Sequence, residues 1–296
     1  MHWLRRYPSL RRLHGVDTAK AVALCERHPV DSVLLRVAIE QTGIGASFSL
    51  GRFDADRELT ALAWEYGNIL PLGFDEDGLD EVAEEFAGRR RTGSSIVGPA
   101  DQVMGLWNRI CKRWGPARDV RERQFSMVMD SDPDVVADPL VQPAGVGDVS
   151  LVFPASVAMY IEEVGYDPAC SGRAFARHIS WLVGSGRGYV LLDDGQGGPA
   201  VPGDPAAVAF KADVGSLWRS PSGAVAQLTG VWTRPDLRGR GIGTVALAAV
   251  VDAVRADHVG PDGVVSLYAN DFNAPALGLY RSLGFTRHGT FATILL

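Results

Sequence analysis

A mixed α/β (α+β) architecture in two lobes is the fold to expect from this chain of 296 residues. The length exceeds one ordinary domain. Strand-like and helix-like segments alternate in two successive series. Residues 130–149, with Pro133, Pro139 and Pro143 among aspartates and glycines, separate the series as a linker would. The expected division is residues 1–135, a linker at 136–147, and residues 148–296.

In the first series, residues 18–27 read as an amphipathic helix that Asp17 can cap, and residues 30–41 as a second helix. Residues 47–53, 59–64 and 68–72 are closely spaced strands. Residues 79–91 form a helix that starts acidic and ends in Arg89, Arg90 and Arg91, the sense its dipole favours. A short strand at 95–97, a helix at 100–114 with Val103, Trp107 and Ile110 on one face, and a strand at 124–129 complete the series.

The second series opens with helices at 154–164 and 173–183 and strands at 188–193 and 207–214, the last two joined by a Gly/Pro-rich hairpin connection at 194–205. A strand at 224–233 follows. Pro235 and Asp236 then turn the chain into Arg238-Gly239-Arg240-Gly241-Ile242-Gly243, and an apolar helix runs over residues 244–256. Glycines without Cβ atoms let successive amides face one point where a helix begins, and that point carries roughly half a positive charge. A phosphate or pyrophosphate suits it. A P-loop would need Lys and then Ser or Thr after the last glycine, but Thr244 and Val245 stand there. A dinucleotide fingerprint needs glycines one and then two residues apart, whereas Gly239, Gly241 and Gly243 alternate with single residues.

The pattern Arg-x-x-Gly-x-Gly after a strand resembles the coenzyme A pyrophosphate loop of the GNAT superfamily of N-acetyltransferases. A second segment agrees. The stretch Leu267-Tyr268-Ala269-Asn270-Asp271-Phe272-Asn273-Ala274-Pro275-Ala276-Leu277-Gly278-Leu279-Tyr280-Arg281-Ser282-Leu283-Gly284-Phe285 resembles the closing strand, helix and turn of those enzymes. Pro275 suits a first helical turn and Gly284 a left-handed cap. The resemblance covers roughly residues 148–296 and extends to two-domain GNAT proteins with an N-terminal domain of unknown function. It implies tandem GNAT-like lobes, each a mixed, mostly antiparallel twisted sheet flanked by helices, the first one degenerate. In the first half, Arg90-Arg91-Thr92-Gly93 is the nearest imitation of the loop, but it leaves a helix and enters a strand, the wrong polarity for phosphate.

The resemblance implies acetyl-CoA as co-substrate, with no metal, and direct attack by an amine in a ternary complex. Val231, Trp232 and Thr233 are expected to offer backbone groups to the pantetheine, with the Val231 N–H on the thioester carbonyl. Arg238, Gly239, Arg240, Gly241, Ile242, Gly243 and Thr244 are expected to hold the pyrophosphate, Asn273 to meet the pantetheine arm, and Tyr280 to protonate the departing thiolate. Many GNAT enzymes carry a Glu on the strand before the loop; here Gln227 and Thr229 occupy that stretch, and neither accepts a proton usefully. Glu162 and Glu163 are the acidic pair expected nearest the acceptor, with Asp213, His178 or a chain of waters behind them. Phe153, Pro154, Met159 and Tyr160 are candidates to line the acceptor groove. A non-catalytic acyl-CoA-binding regulator is the alternative reading.

The net charge of −6 argues mildly against a nucleic-acid partner and is compatible with a cationic amine. No apolar run approaches the ~20 residues that cross a bilayer, and the arginine-rich start with Pro8 is unlike a secretory signal. Cys25, Cys111 and Cys170 are far apart and odd in number, so neither a disulfide framework nor a zinc site follows. A cytoplasmic location is expected, either as a monomer with pseudo-dimeric lobes or as a homodimer. The acceptor is open.

Overall fold

The computed structural model describes residues 10–168, 173–192, 207–221 and 223–296. The expected hairpin connection at 194–205, Cys170 and the first nine residues lie outside them. The chain divides into two compact units. The first comprises residues 1–127, 268–273 and 287–296, and the second residues 128–267 and 274–286.

In the first unit, α1 (Thr18–Arg27) and α2 (Val33–Thr42) precede the strands β2 (Phe48–Phe53), β3 (Leu59–Tyr66) and β4 (Asn68–Leu72). These three form an antiparallel meander, with β1 (Leu10–Arg12) on the edge of β2. The helix α3 (Glu76–Ala87) then carries the chain to β5 (Ser95–Pro99), which lies parallel to β4; α4 (Ala100–Trp114) leads to β6 (Asp119–Met129). Alternation along β3 explains why both faces are covered. Leu62 and Trp64 face the cluster built on Leu24, Cys25, Leu35 and Ile39 of α1 and α2. Ala61 and Ala63 face the one built on Val82, Phe86, Val103 and Leu106 of α3 and α4. Successive side chains of a strand point to opposite faces, so one strand serves two cores.

The second unit repeats the order. Here α5 (Val149–Val164) and α6 (Ala174–Gly184) precede the meander β8 (Gly188–Leu192), β9 (Val208–Ser220) and β10 (Gly223–Thr233). The helix α7 (Ile242–Val254) crosses over to β11 (Val264–Asn270), whose first residues lie parallel to β10. A short edge strand, β7 (Gln142–Pro143), pairs with β8. Residues Leu151, Val152 and Ala155 of α5, Ile179 and Val183 of α6, and Val190, Val208 and Trp232 of the sheet make one apolar cluster.

Several elements differ from the sequence expectation. The helix expected at 79–91 runs Glu76–Ala87, capped by Asp75, so Arg89, Arg90 and Arg91 lie beyond its end. The helix expected from Pro154 begins at Val149 and contains Pro154. The apolar residues Leu151 and Val152 are buried in the core, and that burial outweighs the hydrogen bond a proline cannot donate. The last strand, β12 (Thr286–Leu295), follows α8 (Ala274–Leu283) but does not stay in the second unit. It pairs antiparallel with β5, Phe291 opposite Pro99 and Leu295 opposite Ser95, between β5 and β6 in strand order. Ala292 and Ile294 complete the first unit's core there, which a domain spanning residues 148–296 does not provide for.

Candidate active site

The site is built where β10 changes partners. Val225, Ala226 and Gln227 pair in parallel with Val264, Val265 and Ser266 of β11. No further β10–β11 pair is found among the described residues, while β10 continues along β9 to Thr233. Two parallel strands that start paired and then part leave a cleft with backbone groups on its wall. On the β9 side the register breaks between Thr229 and Trp232, so Gly230 and Val231 form a bulge without ladder partners. Gly230 sits at φ 58°, a conformation that glycine adopts without penalty.

At the end of β10 the glycine loop folds into α7. Gly239 and Gly241 have φ values of 73° and 81°, and Gly241 is the N-cap with no side chain capping the helix. The first-turn amides of Ile242 and Gly243 have no carbonyl within the helix to bind. Thr244, expected among the loop's holding residues, already donates its N–H to Gly241 O at 3.0 Å. A Cβ on Gly243 would lie 2.8 Å from Thr233 Oγ1 and 3.0 Å from Leu279 of α8, so the strand end, the loop and α8 meet at this glycine. Among the described residues the first unit lacks this arrangement. Its corresponding helix, α3, is capped by the Asp75 carboxylate on Gly78 N–H, with Glu76 and Asp77 in the first turn. Three carboxylates there oppose any phosphate.

The elements around the cleft place most of the expected residues together. Tyr280, next to Leu279 on α8, is 6% exposed, and burial pushes its phenol well above the ordinary value, with the charge of Glu163 adding to the effect. Glu163 is therefore within electrostatic reach of Tyr280. Trp232 is buried and donates its Nε1–H to Glu162 at 3.2 Å. Asn273 stands immediately before α8, its N–H donating to Asn270 O at 2.9 Å.

Glu162, expected near the acceptor, and Arg238, expected at the pyrophosphate, are bound to each other. The Arg238 guanidinium donates to both Glu162 oxygens, at 2.6 and 2.7 Å, and to Thr233 O at 2.9 Å. These bonds, helped by Trp232, hold the Glu162 carboxyl below its ordinary range, against the opposing effect of burial. Three of the five N–H donors of the Arg238 guanidinium are engaged within the protein. Arg240 is exposed beside them.

Sequence reasoning undervalued one strand. Lys211 on β9 is wholly buried, donates to Asp213 Oδ2 at 2.5 Å and to Gly230 O at 3.2 Å, and so ties β9 to the bulge. Two ionisable residues two positions apart within the apolar run 207–214 share one strand face, and that spacing is the signal. On α5, Tyr160 brings its hydroxyl to 2.7 Å from that of Tyr166, and Phe175 packs edge-on to Tyr160 at 5.2 Å. A groove of about 420 Å³ lies beside Phe153, Val149 and Ala176. Among the described residues no group of three His, Cys, Asp or Glu side chains is arranged to hold a metal, and no helix is long and apolar enough to cross a membrane.

Residues 182–285 match the profile of the acetyltransferase (GNAT) family, and residues 49–152 that of a domain of unknown function, DUF4081. The chain carries a GNAT domain. The parting strands, the glycine loop and α7 all fall within it. No curated protein was found to match. Solved structures align along nearly the whole length. A GNAT-family acetyltransferase from Colwellia psychrerythraea is 10% identical over 96% of this chain and 98% of its own, with a TM-score of 0.54. A GCN5-related N-acetyltransferase from Sphaerobacter thermophilus is 15% identical over 96% and 93%, TM-score 0.53. A tandem GNAT protein from the clavulanic acid biosynthesis pathway is 15% identical over 96% and 97%, TM-score 0.52. At these identities the likeness is one of fold: a mixed, mostly antiparallel sheet with helices, arranged in tandem.

Proposed function

We propose that the GNAT domain transfers an acetyl group from acetyl-CoA to an amine. The observation that carries this reading is the coincidence, within one unit, of parted strands, an unladdered bulge at Gly230 and Val231, and an uncapped helix start at Gly241. The cleft fits a long, thin thioester ending in a diphosphate. The amides of Ile242 and Gly243, with Arg240, would hold the diphosphate; the unpaired backbone of Val231 would face the acyl carbonyl. Asn273 is proposed for the pantetheine arm. Tyr280, kept protonated by burial, would supply a proton to the sulfur as it leaves. Amides fixed in place before the reaction stabilise a developing oxyanion without reorganising.

The acceptor is a primary amine of a small molecule, peptide or protein. The test is calorimetric titration of the full chain with coenzyme A, followed by release of free thiol from acetyl-CoA with a panel of primary amines. Gly241→Glu puts a carboxylate where the diphosphate would lie and is expected to abolish both signals. Equal turnover in wild type and variant would refute the reading, while binding without any transfer would leave a coenzyme A-binding protein.

A further inference from the structure

Amide formation needs a lone pair on the attacking nitrogen, and a primary amine near neutral pH carries an extra proton. A group within hydrogen-bond reach of the reacting atoms must take it. Both Glu162 oxygens are taken, by Arg238 and Trp232, whereas Lys211 binds one oxygen of Asp213. Asp236 is exposed and bound to Arg234. Glu163 is exposed near Tyr280. Neither Gln227 nor Thr229 titrates usefully.

We propose that Asp213 receives the proton that the acceptor amine loses, with Lys211 as its positioning residue. The assignment rests on the transferase reading above. A Cβ on Gly230 would lie 2.7 Å from Asp213 Oδ2 and 3.0 Å from Lys211 Nζ. The carboxylate therefore touches the backbone of the bulge, one residue from Val231, and only a glycine leaves room for it. Lys211 fixes the carboxylate by one hydrogen bond and the bulge by another. Burying such a pair seldom gains stability over apolar residues of similar size, so its place against the bulge calls for another reason. Perturbed or buried ionisable groups gather where chemistry is done.

The other groups around Asp213 do not compete. Among the described residues His178 on α6 is in electrostatic reach; its pKa is lowered by burial first, with Asp213 opposing and Lys211 adding to the shift. The strand β10 offers Thr229 and Gly230, α5 offers Met159 beside Gly230, and β8 offers Gly188 beside Asp213 Oδ1. In the reaction, the ammonium passes one proton to Asp213. The nitrogen then bonds to the acyl carbon and the carbon–sulfur bond breaks, its electron pair leaving with sulfur. The second nitrogen proton balances that thiolate, through Tyr280, and Asp213 returns its proton to water.

The experiment compares wild type with Asp213→Asn, a variant of equal shape whose amide oxygen still accepts from Lys211. The probe is acetyl-CoA with the best amine of the panel, or with water as acceptor if no amine is used. The expected result is a kcat lower by about 100-fold or more, with coenzyme A affinity within twofold of wild type. The residual rate should climb about tenfold per pH unit between ~6.5 and ~8.5, because only amine already deprotonated in solution reacts; the wild-type profile is flatter. Asp213→Asn leaves the Lys211 ammonium, and Lys211→Met the Asp213 carboxylate, buried without its partner charge, so each single variant risks misfolding. The double variant Lys211→Met/Asp213→Asn removes both charges, and it should be as slow as Asp213→Asn alone. A variant rate within threefold of wild type, with the same pH slope, overturns the role of Asp213 while leaving the transferase intact. Bound coenzyme A with no acyl loss in the wild type overturns both.

Discussion

Arg238 grips Glu162 through both of its terminal nitrogens, at 2.6 and 2.7 Å, and thereby joins the glycine loop to α5. The pair is nearly half exposed on each side, so it contributes no more than about 1 kcal/mol. Glu162→Gln should leave turnover within about fivefold and lower the melting temperature by a few degrees. The sign with pH follows from the lowered folded-state value of Glu162. Its contribution is present above the ordinary glutamate value of about 4.3 and is lost as pH falls through the lower folded value. Melting curves of wild type and variant should therefore converge as the pH is taken below about 4.

Gly241 and Gly243 should respond differently to alanine. At Gly241, φ is 81° and a Cβ would meet nothing within 4 Å. The cost is then conformational, about 1–2 kcal/mol. At Gly243, φ is ordinary but a Cβ would press on Thr233 and Leu279. Overpacking of that kind costs about 1–3 kcal/mol and shifts the loop against β10. Urea denaturation gives the first quantity. Coenzyme A titration should show the larger loss of affinity for Gly243→Ala.

Tyr280→Phe should lower kcat by roughly 10- to 100-fold without abolishing turnover, since a thiolate is already a fair leaving group. Burial raises the phenol above its usual value of about 10. No break in the pH–rate profile below pH 10 should then trace to Tyr280, and profiles of the two proteins should be parallel.

Ile294 on β12 is fully buried among first-unit residues. Ile294→Ala should destabilise that unit by about 2–4 kcal/mol. Hydrogen exchange should report the loss at the amides of β4 and β5, although the substitution lies more than 190 positions from either in sequence.

Much of this was legible in the residues. Helix 18–27, strand 68–72 and helix 100–114 stand where periodicity puts them, because each has one clear apolar face or a short apolar run between turn residues. The turn from strand into α7 was legible for a local reason: closely spaced glycines admit the positive φ values found at Gly239 and Gly241. Less visible was anything decided by partners distant in sequence. Glu162 and Arg238 lie 76 residues apart, and either alone looks like a solvated charge. Lys211 meets Gly230 O only because β9 and β10 pair in a register interrupted by a bulge. The destination of β12 could not be read from its own alternation, which fits any sheet with a free edge.

That destination orders events during synthesis. A ribosome releases the segments that make α1 to β6 long before residues 286–295, yet the neighbour β5 requires is among those last residues. Until they emerge, β5 offers an unpaired edge, open to wrong partners and to aggregation. A nascent chain stalled at residue 150 should accordingly be far more sensitive to protease than the same residues in the finished protein.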